Sequence, residues 1–282
     1  MPAPDVTPIV DIMSLVLHTG MLPGRKPVSA LLCSPSDNGK TTWIMDRFAD
    51  NPSVARINFA TRIGLAKFLL QKNRWRDYHH VMIPDMTTPL SGSGPSSQAF
   101  QSFLMGLVYE GITNFQSFNL QVIMPEPVRV GLIAGIVPSV LQDRRKDWAQ
   151  SGFLRRFLPV SFDYTQAQDD SVRALILAGR NYTPRPISLN GHNISAVKVE
   201  EPLVSTLTPI VDNIVRSLYL TRSEMKGNTF AEMLHSLVLA HAARRGSAEA
   251  TMADVAAVAR LSQFMNYSME KVPNLPIIEG IL

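Results

Sequence analysis

The 282-residue chain is 45% hydrophobic and 18% charged, enough to bury the core of one large α/β unit plus a smaller appendage. Its 27 Lys+Arg against 23 Asp+Glu leave a formal charge of +4, which permits contact with nucleic acid without demanding it. A single cysteine, Cys33, excludes an internal disulfide and a cysteine-based zinc cage, and no apolar run nears the roughly 20 residues of a membrane span.

Met1-Pro2-Ala3-Pro4-Asp5 lacks the basic start and apolar stretch of a secretory signal, so a cytoplasmic location with no membrane partner is expected. Thr7-Pro8 reads as a helix start, with Thr7 at the N-cap and Pro8 at the first helical position. Ile9, Ile12, Met13, Val16 and Leu17 then recur at helical spacing up to Gly20. Val28 to Leu32 is a strand candidate, followed by a Gly39-Lys40 loop and a helix from about Lys40 to Phe48. Val54 to Phe59 is a second strand, and Gly64 to Leu70 lies in a helix. Lys72, Arg74 and Arg76 read as a solvated surface, and His79-His80 has no cysteine or carboxylate at metal-ligand spacing. Val81-Met82-Ile83 is a third strand, ended by Pro84-Asp85.

The low-complexity stretch Ser91 to Ser97 is expected to be a mobile loop, followed by a helix over Ala99 to Tyr109. Val128 to Val137 is a fourth strand of nearly continuous apolar character, and Leu158 to Phe162 a fifth. Buried strands without polar alternation, separated by helices, predict an α/β fold: a parallel sheet with helices on both faces, over residues 1–165. Residues 166–282 are expected to form a mostly helical lid. A short strand around Ile194 to Val199 comes first, then helices from Val204 to Leu220 and Phe230 to Ala243. Thr251-Met252-Ala253-Asp254 signals a capping box, with Val255, Val258, Leu261 and Met265 on one face behind it. His241, on the inner side of its helix, reads as a satisfied core or interface residue.

The loop Ser34-Pro35-Ser36-Asp37-Asn38-Gly39-Lys40-Thr41 carries the chemistry. A nucleoside triphosphate needs backbone N–H groups curled about its phosphates, a helix N-terminus behind them and a cation. The P-loop pattern supplies these after a strand and before a helix, and only its first glycine is missing here, replaced by Ser34. Ser36, Asp37, Asn38, Gly39, Lys40, Thr41 and Thr42 are therefore the expected ATP-binding residues. Lys40 would reach the β- and γ-phosphates, and the Thr41 hydroxyl would sit on Mg²⁺. Asp85 is the second expected metal ligand, acting through water. The residue after it is Met86, where hydrolysing enzymes usually carry a water-orienting glutamate; Glu110 is the substitute considered. In Arg155-Arg156-Phe157, Arg156 is either a finger reaching a neighbouring subunit's γ-phosphate or part of an arginine pair at the start of a surface strand.

The order of P-loop, Asp-ending strand, long apolar strand, Arg-Phe motif and helical carboxyl part resembles AAA+ ATPases. Phe153-Leu154-Arg155-Arg156-Phe157 is similar to the finger motif of the minichromosome-maintenance helicase branch and its mobile-element relatives, with Leu158 in place of the branch's Asp. Leu237 to Ala242 with Thr251 to Val255 is similar to that branch's lid helices. The resemblance implies a γ-phosphate sensor near Ser139 and a lid arginine near Thr229, which is not basic; Arg222 or Lys226 is the alternative. It also implies a DNA-gripping hairpin over Asn119 to Arg129; Phe115 and Phe118 lie just before it and read equally well as core residues. The activity so implied is an oligomeric, helicase-like ATPase, a ring or filament acting on DNA in replication. The alternative is an ATP-switched loader or adaptor that binds a replication protein and turns ATP over weakly.

Overall fold

A computed structural model describes residues 3–92, 94–179, 185–189, 198, 205–218 and 227–274. Helix α1 (Thr7–Thr19) opens the fold, but Thr7 is its first residue and not its cap. The Thr7 N–H donates to the Asp5 carboxylate at 3.0 Å, so the shorter acidic side chain satisfies the free amide. At the far end the Thr19 hydroxyl donates to the Val16 carbonyl and accepts the Val28 N–H at 2.8 Å, fixing the helix to the start of the first strand.

The strands in chain order are β1 (Ala30–Cys33), β2 (Val54–Arg56), β3 (His80–Ile83), β4 (Ile112–Ser117), β5 (Leu120–Val128), β6 (Gly131–Ile136) and β7 (Leu158–Ser161). Five of them form a parallel sheet in the order β2-β3-β6-β1-β7. Ala30 sits opposite both Ile133 and Leu158, and His80 opposite Gly131, which aligns the carboxyl ends of all the central strands on one edge. Every residue of β1, β3, β6 and β7 is buried, the pattern of a sheet flanked by helices. Leu31, Leu32, Ile133 and Val160 are sealed from solvent, each stabilising the fold by about 1.5–3 kcal/mol.

The helices that follow α1 are α2 (Arg62–Ala66), α3 (Thr87–Ser91), α4 (Pro95–Met105), α5 (Pro138–Gln150), α6 (Gln166–Leu177), α7 (Thr208–Leu218), α8 (Asn228–Arg244) and α9 (Met252–Leu261). The expected loop over Ser91 to Ser97 is largely helical instead. Ser91 ends α3, and Pro95, whose ring presets a helical φ, opens α4 four residues before the predicted start; Ser93 lies outside the described residues. Of the strand expected around Ile194 to Val199, only Lys198 is described, bridged to Glu249.

Helix α1 packs along α8, and Arg244 reaches Asp11 at 3.1 Å. The capping box at Thr251 forms as predicted, and its Asp254 does more than cap. Its buried carboxylate also accepts from His241 at 2.7 Å and twice from Arg245 at 2.8 Å, joining α9 to α8. Burial pushes this carboxyl up, but the bonds from Arg245, His241 and Thr251 outweigh it and hold it well below the usual range. His241 is thus a satisfied residue between two helices.

Strands β4 and β5 form an antiparallel hairpin that begins earlier than expected, at Ile112. Phe115 turns inward and meets Phe103 edge-on at 5.4 Å, whereas Phe118, at the tip, is fully exposed.

His80 is wholly buried, its Nε2 within 2.9 Å of the Val28 carbonyl and its Nδ1 within 2.7 Å of His79 Nδ1. A carbonyl accepts only, so His80 carries its proton on Nε2, and His79 must donate from Nδ1. Burial, and then His79, brings the His80 pKa down to about 3; burial and His18 bring His79 to about 4.

Candidate functional site

The chain leaves β1 towards β2 on one side and later returns as β7 on the other, which makes the carboxyl end of β1 a topological switch point. The loop from Ser34 occupies that point. Ser34 is sealed in, whereas Ser36 and Asp37 face solvent. Asp37 and Gly39 both take left-handed backbone conformations, at φ 67° and 71°. Only glycine suits the second position, since a Cβ there would lie 2.8 Å from the Trp43 ring as well as straining the backbone. Trp43 N–H closes the first turn of the helical segment Lys40–Phe48 on the Gly39 carbonyl at 2.8 Å, and Thr41 and Thr42 lie in that turn.

Lys40 is folded into the loop. Its ammonium donates to the Ser34 and Pro35 carbonyls at 2.6 and 2.7 Å. Burial lowers its pKa; Cys33, Asp85 and Asp37 act in the opposite sense through their charge. Asp85 therefore stands within electrostatic reach of Lys40, although β6 lies between the two strands from which they emerge. The Asp85 carboxylate is exposed and accepts the Thr87 N–H at 2.8 Å. Cys33 is inert beneath the loop: burial pushes its thiol up to about 12, against the pull of Lys40.

Met86 is sealed from solvent, and its N–H donates to the Gly135 carbonyl at 2.8 Å. Gly135 is required there, because a Cβ would stand 2.1 Å from the Pro84 carbonyl oxygen. The strand end carrying Asp85 is thus clamped to β6 by close backbone approach.

Several residues that sequence reasoning missed brace the loop. Asn38 is buried and donates to Asp163 at 3.0 Å, while the Tyr164 hydroxyl donates to the Asn38 carbonyl at 2.8 Å. Trp43 stacks on Tyr164 with centroids 6.0 Å apart. Lys271 binds the other Asp163 oxygen and donates to the Tyr164 carbonyl at 2.7 Å. Burial pushes the Asp163 carboxyl up, but the bonds from Lys271, Asn38 and the Tyr164 N–H prevail and hold it below its ordinary value. The Asn38–Asp163 contact spans 125 residues of chain, so no local pattern announces it.

Comparison with known proteins bears on the fold. One solved structure, a protein of Cytophaga hutchinsonii provisionally described as an ATPase, aligns over 99% of this chain and 86% of its own, with a TM-score of 0.53 and 12% identity. The two chains share an α/β fold built on a parallel five-stranded sheet. No family model matches the sequence, and no curated protein matches it.

The remaining expected site residues are divided between the loop's edge of the sheet and the opposite one. Ser139 is exposed in the first turn of α5, just past the carboxyl end of β6. Arg156 precedes β7, at the opposite edge of the sheet, separated from the loop by the length of β1, about 13 Å. Its side chain is 12% exposed and donates to Glu110 at 2.6 Å and to the Gly152 carbonyl at 2.7 Å. Glu110, considered as a water-orienting base for this chain's own loop, is thereby displaced from it, held by Arg156. Thr229 lines the cleft beside Arg156, also away from the loop, and Arg222 and Lys226 lie outside the described residues. Of the cation cluster on α5, Arg144 binds the Ser91 carbonyl and Arg145 binds carbonyls at the end of α7, so both tie helices together.

Proposed function

We propose that this chain binds Mg²⁺–ATP at the loop Ser36 to Thr42 and works as an ATP-dependent switch with slow turnover. The observation that carries the reading is the lodging of Lys40 on the Ser34 and Pro35 carbonyls, inside a loop that Asp37 and Gly39 bend through left-handed backbone conformations. On this reading an incoming phosphate takes Lys40 from those two carbonyls, Thr41 and Asp85 hold Mg²⁺, and bound magnesium neutralises charge on the phosphates. Slow turnover follows from Met86, whose burial leaves no carboxylate beside Asp85 to orient a water. Arg156, away from its own loop, acts on a neighbouring subunit in a ring or filament.

Calorimetry with Mg²⁺–ATP tests the binding: association is expected with the native chain and none with Lys40→Ala. A native chain that gives no heat while folded sinks the reading. Steady-state turnover well above one per minute would instead favour the motor over the switch.

The helicase-like reading is favoured by one observation, the hairpin tip. Phe118 and, on β5, Ile123 are exposed large apolar side chains, and a bare aromatic ring is a stacking platform for unpaired bases. Anisotropy of a labelled single-stranded oligonucleotide, with Phe118→Ala as control, decides between DNA and a replication protein as the partner.

A further inference from the structure

Between α4 and α5 the surface opens into a cavity of about 350 Å³, within the roughly 300–1,000 Å³ of ligand sites. Its walls are fixed from one end. Helix α3 packs against both helices, and Arg144 of α5 donates to the carbonyl of Ser91, the last residue of α3, at 2.7 Å. Gln98, Gln101 and Ser102 line the cavity from α4, and Trp148 and Gln150 from α5. Trp148 is 1% exposed, and its indole N–H has no hydrogen-bond partner among the described residues. A buried donor without an acceptor is costly, and an indole nitrogen can only donate, so the group calls for an acceptor brought from outside.

The lining selects the chemistry of that occupant. Arg144 and Asp147 both border the cavity, 3.6 Å apart, so an ion entering it meets its like charge as well as its counter-charge. The remaining groups are uncharged. The Gln101 amide makes one long bond, 3.5 Å to the Ser97 hydroxyl, which leaves its carbonyl oxygen open among the described residues. A carboxamide offers N–H and C=O side by side, the complement of a peptide unit. A sugar ring would need an open aromatic face to lie on, and the Trp148 ring is sealed, packed against Phe153 with centroids 5.2 Å apart. Met105 adds a pliable apolar contact suited to a side chain.

We propose that the cavity between α4 and α5 binds an extended, uncharged peptide segment of a partner protein. One backbone carbonyl of that segment accepts the Trp148 indole N–H, and the glutamine carboxamides pair with the neighbouring peptide unit. The site stands apart from the nucleotide reading. Helix α5 starts just past the carboxyl end of β6 and carries Trp148 in its last turn, away from the loop's edge of the sheet.

The test follows the indole signals of Trp43, Trp75 and Trp148 in the ¹⁵N–¹H spectrum of the full chain, with Trp148→Phe identifying the third. The probe is trialanine blocked by an acetyl group at one end and an amide at the other. On titration the Trp148 proton should move downfield and saturate, as expected of a new hydrogen bond, while the other two indole signals hold still. The Gln101→Leu/Ser102→Val double variant should bind the probe more weakly by a factor on the order of ten, with its remaining spectrum showing an unchanged fold. Lys40→Ala should bind it as the native chain does, so failure at the loop and failure at the cavity are told apart. A Trp148 signal that stays put up to the solubility limit of the probe, or a double variant that binds as well as the native chain, would overturn the proposal. So would an equal shift with acetate or methylammonium, which would show that charge is accepted. An equal shift with acetamide would overturn the peptide assignment in favour of a small amide.

Discussion

The Met86 N–H meets the Gly135 carbonyl at 2.8 Å, and this bond turns the side chain after Asp85 into the core. Met86→Glu is therefore not a route to faster hydrolysis. It buries a carboxylate against apolar neighbours, raising its pKa by about three units or more, a cost of roughly 4 kcal/mol at pH 7. Thermal unfolding should fall by about 10 °C, with no gain in turnover. A stable Met86→Glu variant with increased ATPase would show that this strand end can turn outward.

Asp163 joins the P-loop to residue 271 through one carboxylate. Asn38→Ala and Lys271→Met should each weaken nucleotide binding several-fold and cost about 1–2 kcal/mol of stability. Because they share a partner, the double variant should lose less than the sum, with a coupling of about 0.5 kcal/mol or more. Strict additivity in denaturant melts would mean that the two ends of the brace act independently.

Stability should depend on pH through the paired histidines. In the folded chain His79 and His80 titrate near 4 and 3, against an ordinary value of 6.5, so the unfolded chain binds protons first as pH falls. Their contribution is complete above about pH 7 and is lost progressively between pH 6.5 and the folded values. From pH 7.5 to 5 the loss is on the order of 2 kcal/mol per histidine, read as a falling urea midpoint. His80→Gln should flatten that slope. A midpoint unchanged to pH 5 in the native chain would contradict the burial of both rings.

Asp254 accepts from Thr251, His241 and Arg245 with no exposure to solvent. Asp254→Ala removes the N3 half of the α9 capping box and takes the carboxylate from Arg245 and His241. A loss of about 3–5 kcal/mol is expected by thermal denaturation. Asp254→Asn should retain part of it by keeping the cap.

The central sheet was legible because its strands are apolar runs, each ended by proline, glycine or a polar loop. The position of the Gly39-Lys40-Thr41 loop was legible for a related reason: it follows such a run and precedes helical residues. Two helices gave no such signal. Helix α5 carries Asp143, Arg144, Arg145, Lys146 and Asp147 in its middle and buries only Val140, Leu141 and Trp148. Helix α6 buries only Gln168 and Ser171, and its Leu175, Ile176 and Leu177 are exposed, so no apolar stripe faces the core, although Thr165 and Gln168 form a capping box that the spacing alone could have disclosed. The loop's brace and the cleft beside Arg156 were illegible for another reason. Each joins residues tens to hundreds of positions apart, and only the strand order brings them together.

The segment that carries Lys271 runs on to pair with the start of the chain: Asn274 bridges Pro4, and the Asp5 N–H donates to the Pro273 carbonyl at 2.8 Å. Gln168 grips the same stretch through the Val272 and Pro273 carbonyls. A donor and acceptor dye placed at positions 4 and 274 would consequently sit side by side at rest. Any separation of the two labels when nucleotide is added would report that the clasp beneath the loop had opened, without a probe being set in the loop itself.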